Sequence, residues 1–567
     1  VGKFFLQFGI TLSVAVAISY VEAISLAPAR CAQMLRATSH GSRGAVGRMA
    51  DKGFERLSRG YSRALAQALR APWVVLALGA AVLGGAAFAA TKIPQEFVPS
   101  QDQSRLSVHL NTAVGANLAA TDVLARRAEK FLLNRPEVTG VVTNVSEGSA
   151  SFSVTMVDPK SRALTQQQFS TVIRNELNSY PGVRASVQDL SQQGFGGSKG
   201  YPVEFSVRGS DWDTLVSLAA KLQTEAASSG LVTDLNSDYQ LGTPELVIAP
   251  DRARATDIGI SVNDIASTVS AMVGGVVVGQ YSNAGRRMDI NMRLAQAQRS
   301  RPEDLSVLRV RTPNGTLVPL SSVVVTSQKA ELQQINHADR ERAITITGNV
   351  AAGHAQNEAI AYVQSLAGSL PAGYRVVMSG QSSQFSEAMT SLIFALLEGI
   401  LVAYMVLASQ FNSFLDPLTV LTILPLSVAG AMFALLVTGK TLNVFSMIGL
   451  LLLMGIVKKN SIILVDYAAE VRHKEGCDAR TAMQKAGPVR LRPILMTAVA
   501  TMMAAVPSAL GLGPGKETRG PMADAVIGGL VLSTALSLLV VPAFYVVADR
   551  LKPKRGVSEA TLGAATA

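Results

Sequence analysis

Leu450-Leu-Leu-Leu-Met-Gly-Ile-Val-Lys458-Lys459-Asn460-Ser-Ile-Ile-Leu-Val-Asp466 decides how the rest of the sequence is read. The run is apolar from about Leu442 to Ala468, long enough to cross a bilayer as a helix, yet two lysines and an asparagine stand near its middle. An ammonium held at bilayer depth costs about 3 kcal/mol or more, so such a residue pairs with something or moves something. Lys459 lies nine residues, roughly 13 Å along a helix, from the end of the apolar run, too far to snorkel easily. Asp466, seven residues on, and Gly455, four back, share its face, and a glycine there lets a second helix come close.

Working outward, a span needs about 20 apolar residues. Seven stretches qualify: 4–29, 72–93, 386–409, 415–438, 442–468, 493–513 and 522–548. The chain is 48% apolar but only 5% aromatic, which suits membrane helices joined to a sizeable soluble part. The net charge of +11 is confined to three short segments: 30–71 carries +7, 469–492 carries +3 and 549–567 carries +2, leaving −1 elsewhere. Basic segments beside apolar runs follow the positive-inside rule and are not a nucleic-acid footprint. With those segments in the cytoplasm the spans alternate consistently, and the long interval from Pro94 to Phe385 lies outside. Cys31 and Cys477 fall in the cytoplasmic segments, where thiols stay reduced. The first apolar run is too long for a signal peptide.

Residues 40–70 place Met49, Phe54, Leu57, Tyr61, Leu65 and Leu69 at helical spacing, which predicts an amphipathic helix along the cytoplasmic membrane face. Ala23-Ile-Ser-Leu-Ala-Pro28-Ala29 and Ala535-Leu-Ser-Leu-Leu-Val-Val-Pro542-Ala543 are alike, each an apolar span expected to close on Pro-Ala. This internal likeness reads the last six spans as one whole repeat, with span 1–29 ending a preceding repeat. The chain then corresponds to the C-terminal half of a longer duplicated protein.

The outside interval alternates strand and helix. Strands are expected at 104–111, 140–145, 152–157 and 183–187, with helices at 117–133 and 165–177, a split βαβ pattern over 94–199. A second such unit begins with a strand at 202–207, a helix at 212–228 and a strand at 232–235, and finishes only at 342–350, 355–367 and 374–379. The second unit is therefore split into 200–245 and 333–381, with 246–332 as an inserted subdomain containing a helix at 262–272 and the turn Thr312-Pro-Asn-Gly315. Gly274-Gly275 runs into valines without a following Lys-Ser/Thr, so no nucleotide-binding loop is present there. Five histidines are scattered, no nucleophile–base set or metal-ligand cluster stands out, and an enzyme is disfavoured.

Four ordered segments carry a family resemblance: Ala408-Ser-Gln-Phe-Asn-Ser-Phe-Leu-Asp-Pro-Leu-Thr419, Leu424-Pro-Leu-Ser-Val-Ala-Gly430, Gly455 through Tyr467, and Arg490-Leu-Arg-Pro-Ile-Leu-Met-Thr497. With Ile93-Pro-Gln-Glu-Phe-Val-Pro-Ser-Gln-Asp102 at the start of the outer region, they closely resemble the C-terminal half of resistance-nodulation-division (RND) efflux permeases, best the hydrophobe/amphiphile branch. The resemblance implies a polytopic helical membrane bundle with a periplasmic α+β porter and docking region of ferredoxin-like units. It implies a trimeric inner-membrane proton antiporter working with a periplasmic adaptor protein and an outer-membrane channel, without a cofactor or metal. In that family a lysine matching Lys459 pairs with two aspartates on a helix of the N-terminal half, which this chain does not include. Paired, Lys459 would keep those carboxylates ionised, and protonating them would release it and reorient helices.

Asn460 is then a hydrogen-bond partner of the relay or a packing residue. Lys458 points about 100° away from Lys459, into a solvated seam or toward the relay. Arg490, Thr497, Thr501 and Ser508 form a polar stripe on the sixth span. The resemblance gives Arg490 the cytoplasmic proton path and Thr497 the closure on the relay, while Arg490 and Arg492 also suit a role that only sets topology. Glu398, mid-span, either assists coupling or is a neutral acid bonded to a neighbouring helix; Glu22 is a further intramembrane acid. For the substrate, Ser146-Glu-Gly-Ser-Ala-Ser-Phe152 is short and carries one aromatic, which argues against a bulky aromatic-drug pocket. Met156 alone in the first unit argues against metal export by thioether sites. Amphiphilic small molecules are the expected substrates, with lipid or metabolite export, or a non-transporting scaffold or sensor, as the rival readings.

Overall fold

A computed structural model of the chain describes residues 2–34, 45–113, 115–192, 200–239, 242, 244–330, 334–513 and 515–551. Among them seven helices are long and apolar enough to cross a membrane: Gly9–Met34, Pro72–Ala90, Gly380–Phe411, Leu415–Thr438, Val444–Glu475, Ala479–Ala509 and Lys516–Arg550. They are called the first to seventh spans. Together with a large outer region rich in antiparallel sheet, they give the polytopic bundle that the apolar runs predict.

The fourth, fifth and seventh spans form the heart of the bundle, and small residues set how closely they approach. A Cβ placed on Gly430 would lie 2.5 Å from the carbonyl oxygen of Gly528, and one on Gly449 would lie 2.9 Å from that of Met522. Helices meeting at such glycines gain contact along their backbones, which matters in lipid, where apolar side chains have no water to escape.

Three differences from the sequence reading concern helix ends. The sixth span begins at Ala479, well before 493, and stops at Ala509, before 513, with Pro488, Pro493 and Pro507 inside it. Proline ends helices readily in water, but neighbouring helices in a bundle re-satisfy the freed backbone groups. The seventh span likewise runs through Pro542 to Leu551 and does not close there. The first span breaks at Ser25, and Pro28 sits in the first turn of the helix that follows, Leu26–Met34, where its missing N–H costs little. Every residue from Gly9 to Met34 is exposed.

The amphipathic helix spans Ala45–Ala68, residues 40–44 of the expected helix lying outside the described ones. Leu65 and Leu69 are buried in the membrane core, with Phe54 and Tyr61 packed against it, whereas Met49 and Leu57 are exposed. The Tyr61 hydroxyl donates to the Leu538 carbonyl at 3.0 Å, and its burial pushes the phenol pKa up. The helix is therefore fastened to the cytoplasmic end of the bundle as well as lying along the membrane face.

In the outer region the first sheet has the order Val138–Ser146, Ser149–Met156, Arg105–Asn111, Arg184–Asp189, all antiparallel. Helices Leu118–Leu133 and Gln166–Leu177 cover it, started by Asn117, which accepts from Ala120 N, and by a Thr165/Gln168 capping box. The arrangement is ferredoxin-like. A second sheet repeats the order with Val232–Ser237, Glu341–Val350, Val203–Gly209 and Arg375–Met378. Between its second and third strands the chain forms the paired strands Pro244–Pro250 and Val324–Ala330, an exposed hairpin of Val276–Asn283 with Arg286–Met292, and a tight turn at Gly315 between Arg309–Arg311 and Leu317–Pro319. Phe97, Val98, Ile360, Phe385, Val444 and Ile448 form one buried cluster that joins the outer region to the third and fifth spans.

Candidate functional site: the polar face of the fifth span

The fifth span starts under tight control. Asn443 caps it, its side chain accepting from Phe445 N and Ser446 N at 3.0 Å each, while Ser446 Oγ accepts from Asn443 N at 2.8 Å. Just before the cap, the chain is laced to the root of the outer region: Leu442 N donates to Pro94 O (2.9 Å), Glu96 N to Leu442 O (3.2 Å) and Val444 N to Phe97 O (3.2 Å). Thr441 Oγ1 adds a bond to the Glu96 carboxylate. Burial holds that carboxyl above the usual range, and the Thr441 bond works in the opposite direction.

Further along, the helix divides into two faces. Val457, Asn460, Ser461, Leu464, Val465 and Ala468 are buried in the bundle. Gly455, Lys459, Asp466 and Glu470 are exposed and line up along the opposite side, and Lys458 is half-buried between. Among the described residues the side chains of Lys459 and Asp466 make no hydrogen bond or ion pair. The face that the spacing groups around Lys459 is therefore real, but it points out of the bundle. Asn460 points into it, being only 4% exposed.

Arg490 reaches the fifth span, its guanidinium stacked 4.3 Å from the Tyr467 ring centroid, with a buried Nε that has no hydrogen-bond partner among the described residues. Arg492 instead serves the amphipathic helix, with an ion pair to Asp51 at 3.6 Å and its guanidinium over Phe54. Thr497 is half-buried and its hydroxyl donates to Ile494 O within its own helix at 3.1 Å; Thr501 in turn donates to Thr497 O at 2.9 Å. Of the expected stripe, Thr497 and Thr501 are thus bonded along their own helix, while Arg490 turns to the fifth span. Glu398 is exposed on the third span, next to Gly399, where a Cβ would meet the Met454 side chain of the fifth span. Glu22 is exposed on the first span.

Two polar features escaped the sequence reading. Arg472 and Asp549 form a two-pronged ion pair (2.5 and 3.2 Å) that ties the cytoplasmic ends of the fifth and seventh spans. Asp524, only 9% exposed, lies in the seventh span near its outer end, where the Lys440 ammonium also reaches: a Cβ on Gly520 would stand 2.9 Å from it. An aspartate inside the apolar run that begins at Met522 was the available signal, masked by its place at the boundary. Among the described residues no three His, Cys, Asp or Glu side chains come together as a metal-binding group.

A capped, partly charged helix inside a helical bundle, continuous with two ferredoxin-like units on one side of the membrane, defines a polytopic inner-membrane protein with a large periplasmic region. Residues 1–549 match the AcrB/AcrD/AcrF family, and the chain belongs to it, within the RND permeases. Among solved structures, one described as "X-ray crystal structure of a heavy metal efflux pump, crystal form II" has the same fold, with a TM-score of 0.79 at 23% sequence identity. The match covers 88% of this chain and 52% of that one, so the chain spans about half the length of that structure.

Proposed function

We propose that the chain is the C-terminal half of a proton-driven RND efflux permease, carrying amphiphilic small molecules from the periplasm and inner membrane toward an outer-membrane channel. The observation that carries the reading is Lys459, an ammonium at mid-span on a face with no partner among the described residues, in a chain about half as long as the structure it resembles. A face of this composition suits a second bundle that supplies carboxylates, and Gly455 leaves room for its close approach.

The mechanism follows from the connections of the fifth span. With carboxylates opposite, Lys459 is held by charge; when they take up protons the pair loses its attraction and the helix is free to shift. The shift passes to the periplasmic region through the backbone lacing of Pro94–Phe97 to Leu442–Val444 and the cluster of Phe97, Phe385 and Val444. Arg490 and Thr497 line the cytoplasmic approach, and Asn460 steadies the buried side. Glu398, Asp466 and Glu22 are accessory acids in this scheme. The inserted segment 246–332 acts as the docking subdomain, the assembly is a trimer, and an adaptor protein and channel complete it.

A second reading is export of metal ions, favoured by the likeness in fold to a heavy metal efflux pump. Met156 argues against it: it is buried, and its sulfur accepts from Arg162 Nη1 at 3.1 Å, so it is committed to packing. Accumulation assays on the full-length protein decide between the two. Reduced cellular retention of amphiphilic dyes with unchanged copper and silver tolerance supports the first; the reverse supports the second. Loss of dye efflux in Lys459→Ala, with normal assembly, is the result expected for the relay.

A further inference from the structure

The helix Ala45–Ala68 has three distinct sides. One packs on the bundle through Phe54, Tyr61 and Leu65, and a Cβ on Gly487 of the sixth span would lie 2.6 Å from Leu65 Cδ2. A second is an exposed strip of small and apolar residues, Met49, Gly53, Leu57, Gly60 and Ala64. A Cβ on either of its glycines meets nothing within 4 Å, so among the described residues nothing covers the strip there. The third side is charged: Lys52, Arg56, Arg59 and Arg63 are all exposed and follow one another at four, three and four residues. At about 100° per residue they fill an arc of about 60°, turned away from the bundle.

Among the described residues these four cations have no counter-ion. Arg59 touches only its own helix, its Nε donating to Glu55 O at 3.3 Å. Of the two acids in the helix, Asp51 lies 3.6 Å from Arg492 and Glu55 falls outside the arc. The positive-inside rule accounts for the number of basic residues beside a span, but it asks nothing of their arrangement. Like charges three and four residues apart on one helix repel, and an anionic surface facing them offsets that cost. The level of the helix is fixed as well. Tyr61 is bonded to Leu538 O of the seventh span, and the chain enters the second span at Pro72, with Arg70 exposed two residues before it. The charged side is thus held at the depth of the cytoplasmic headgroups, and the apolar strip beside it is placed to dip among the acyl chains.

We infer that this charged side binds anionic phospholipid of the cytoplasmic leaflet, with the lipid phosphates lying along Lys52, Arg56, Arg59 and Arg63. Three of the four are arginines, whose planar fork suits a pair of phosphate oxygens. A zwitterionic lipid satisfies them less well, because its own amine competes for the phosphate. The surface is independent of Lys459 and of which substrate is exported; it depends only on the place of this helix at the inner face of the membrane.

The test is native mass spectrometry of the full-length protein released from nanodiscs of phosphatidylethanolamine and phosphatidylglycerol in equal parts. Wild type should retain phosphatidylglycerol several-fold above phosphatidylethanolamine, and the preference should shrink as ionic strength rises. Arg56→Gln/Arg59→Gln/Arg63→Gln should lose the preference, while Arg56→Lys/Arg59→Lys/Arg63→Lys, equal in charge, should keep most of it. Equal retention of the two lipids by wild type, or an unchanged preference in the Gln variant, overturns the proposal. Displacement of the lipid by soluble glycerophosphoglycerol at equal concentration overturns its assignment to the membrane. In lipid-free detergent the Gln variant should match wild type in thermal midpoint and assembly. A lower midpoint or lost assembly there places a protein partner on these cations and likewise overturns the lipid.

Discussion

Thr441 Oγ1 donates a 2.6 Å hydrogen bond to Glu96 Oε1 at the point where the outer region and the fifth span are laced together. The two residues are 345 positions apart, and Thr441 stands two residues before the Asn443 cap of the helix that carries Lys459. Movement at the start of that helix is therefore transmitted to the root of the periplasmic region.

Because burial raises the Glu96 pKa, the folded protein binds a proton there more tightly than the unfolded chain does. The stabilisation is complete below the ordinary carboxylate value and is lost as pH rises through the raised folded value. Thermal unfolding of the full-length protein in detergent, scanned upward from about pH 4, should show stability declining over that window. Glu96→Gln, which cannot ionise, should show a flatter decline. Equal slopes in the two proteins would mean that this carboxyl does not titrate as described.

The glycines of the bundle divide into two groups with opposite expectations. Gly430→Val meets the Gly528 backbone and should destabilise by about 1–3 kcal/mol, the cost of overpacking a fitted contact. A Cβ on Gly455 meets nothing within 4 Å, so Gly455→Leu should leave thermal stability of this chain close to wild type. In the full-length protein the same change should impair efflux, since it fills the face expected to receive the carboxylate-bearing helix. Normal efflux by Gly455→Leu would show that no helix approaches there.

Arg472 and Asp549 are each partly exposed, so solvent discounts their attraction, but the paired geometry favours a measurable share. Asp549→Asn should cost about 1 kcal/mol, and the exchange Arg472→Asp/Asp549→Arg should recover part of it. Thermal midpoints of the three variants give the answer; additive losses in the exchange would rule out a direct coupling.

Much of the architecture is legible in the sequence because local chemistry agrees with the global fold. Asn117, Thr165 and Asp211 cap helices that begin one residue later, and the alternation of strands and helices gives the two ferredoxin-like sheets. The misread elements are those where the bundle overrides local preference. Pro493 and Pro542 look like terminators but lie inside continuous helices. The spacing that gathers Gly455, Lys459 and Asp466 on one face says nothing about which way that face points. Only the burial of Val457, Asn460 and Leu464 orients it. Asp549, beside the basic tail, gives no hint that Arg472 is its partner.

The most direct test of the central claim is substrate-driven proton flux in proteoliposomes containing the full-length protein, with wild type compared against Lys459→Ala and Lys459→Arg. The account predicts that Ala abolishes proton movement and efflux together, with assembly intact. Arg, which keeps the charge but not the compact ammonium, should leave at most a small remainder. Efflux that persists in Lys459→Ala with its proton coupling unchanged would contradict the account.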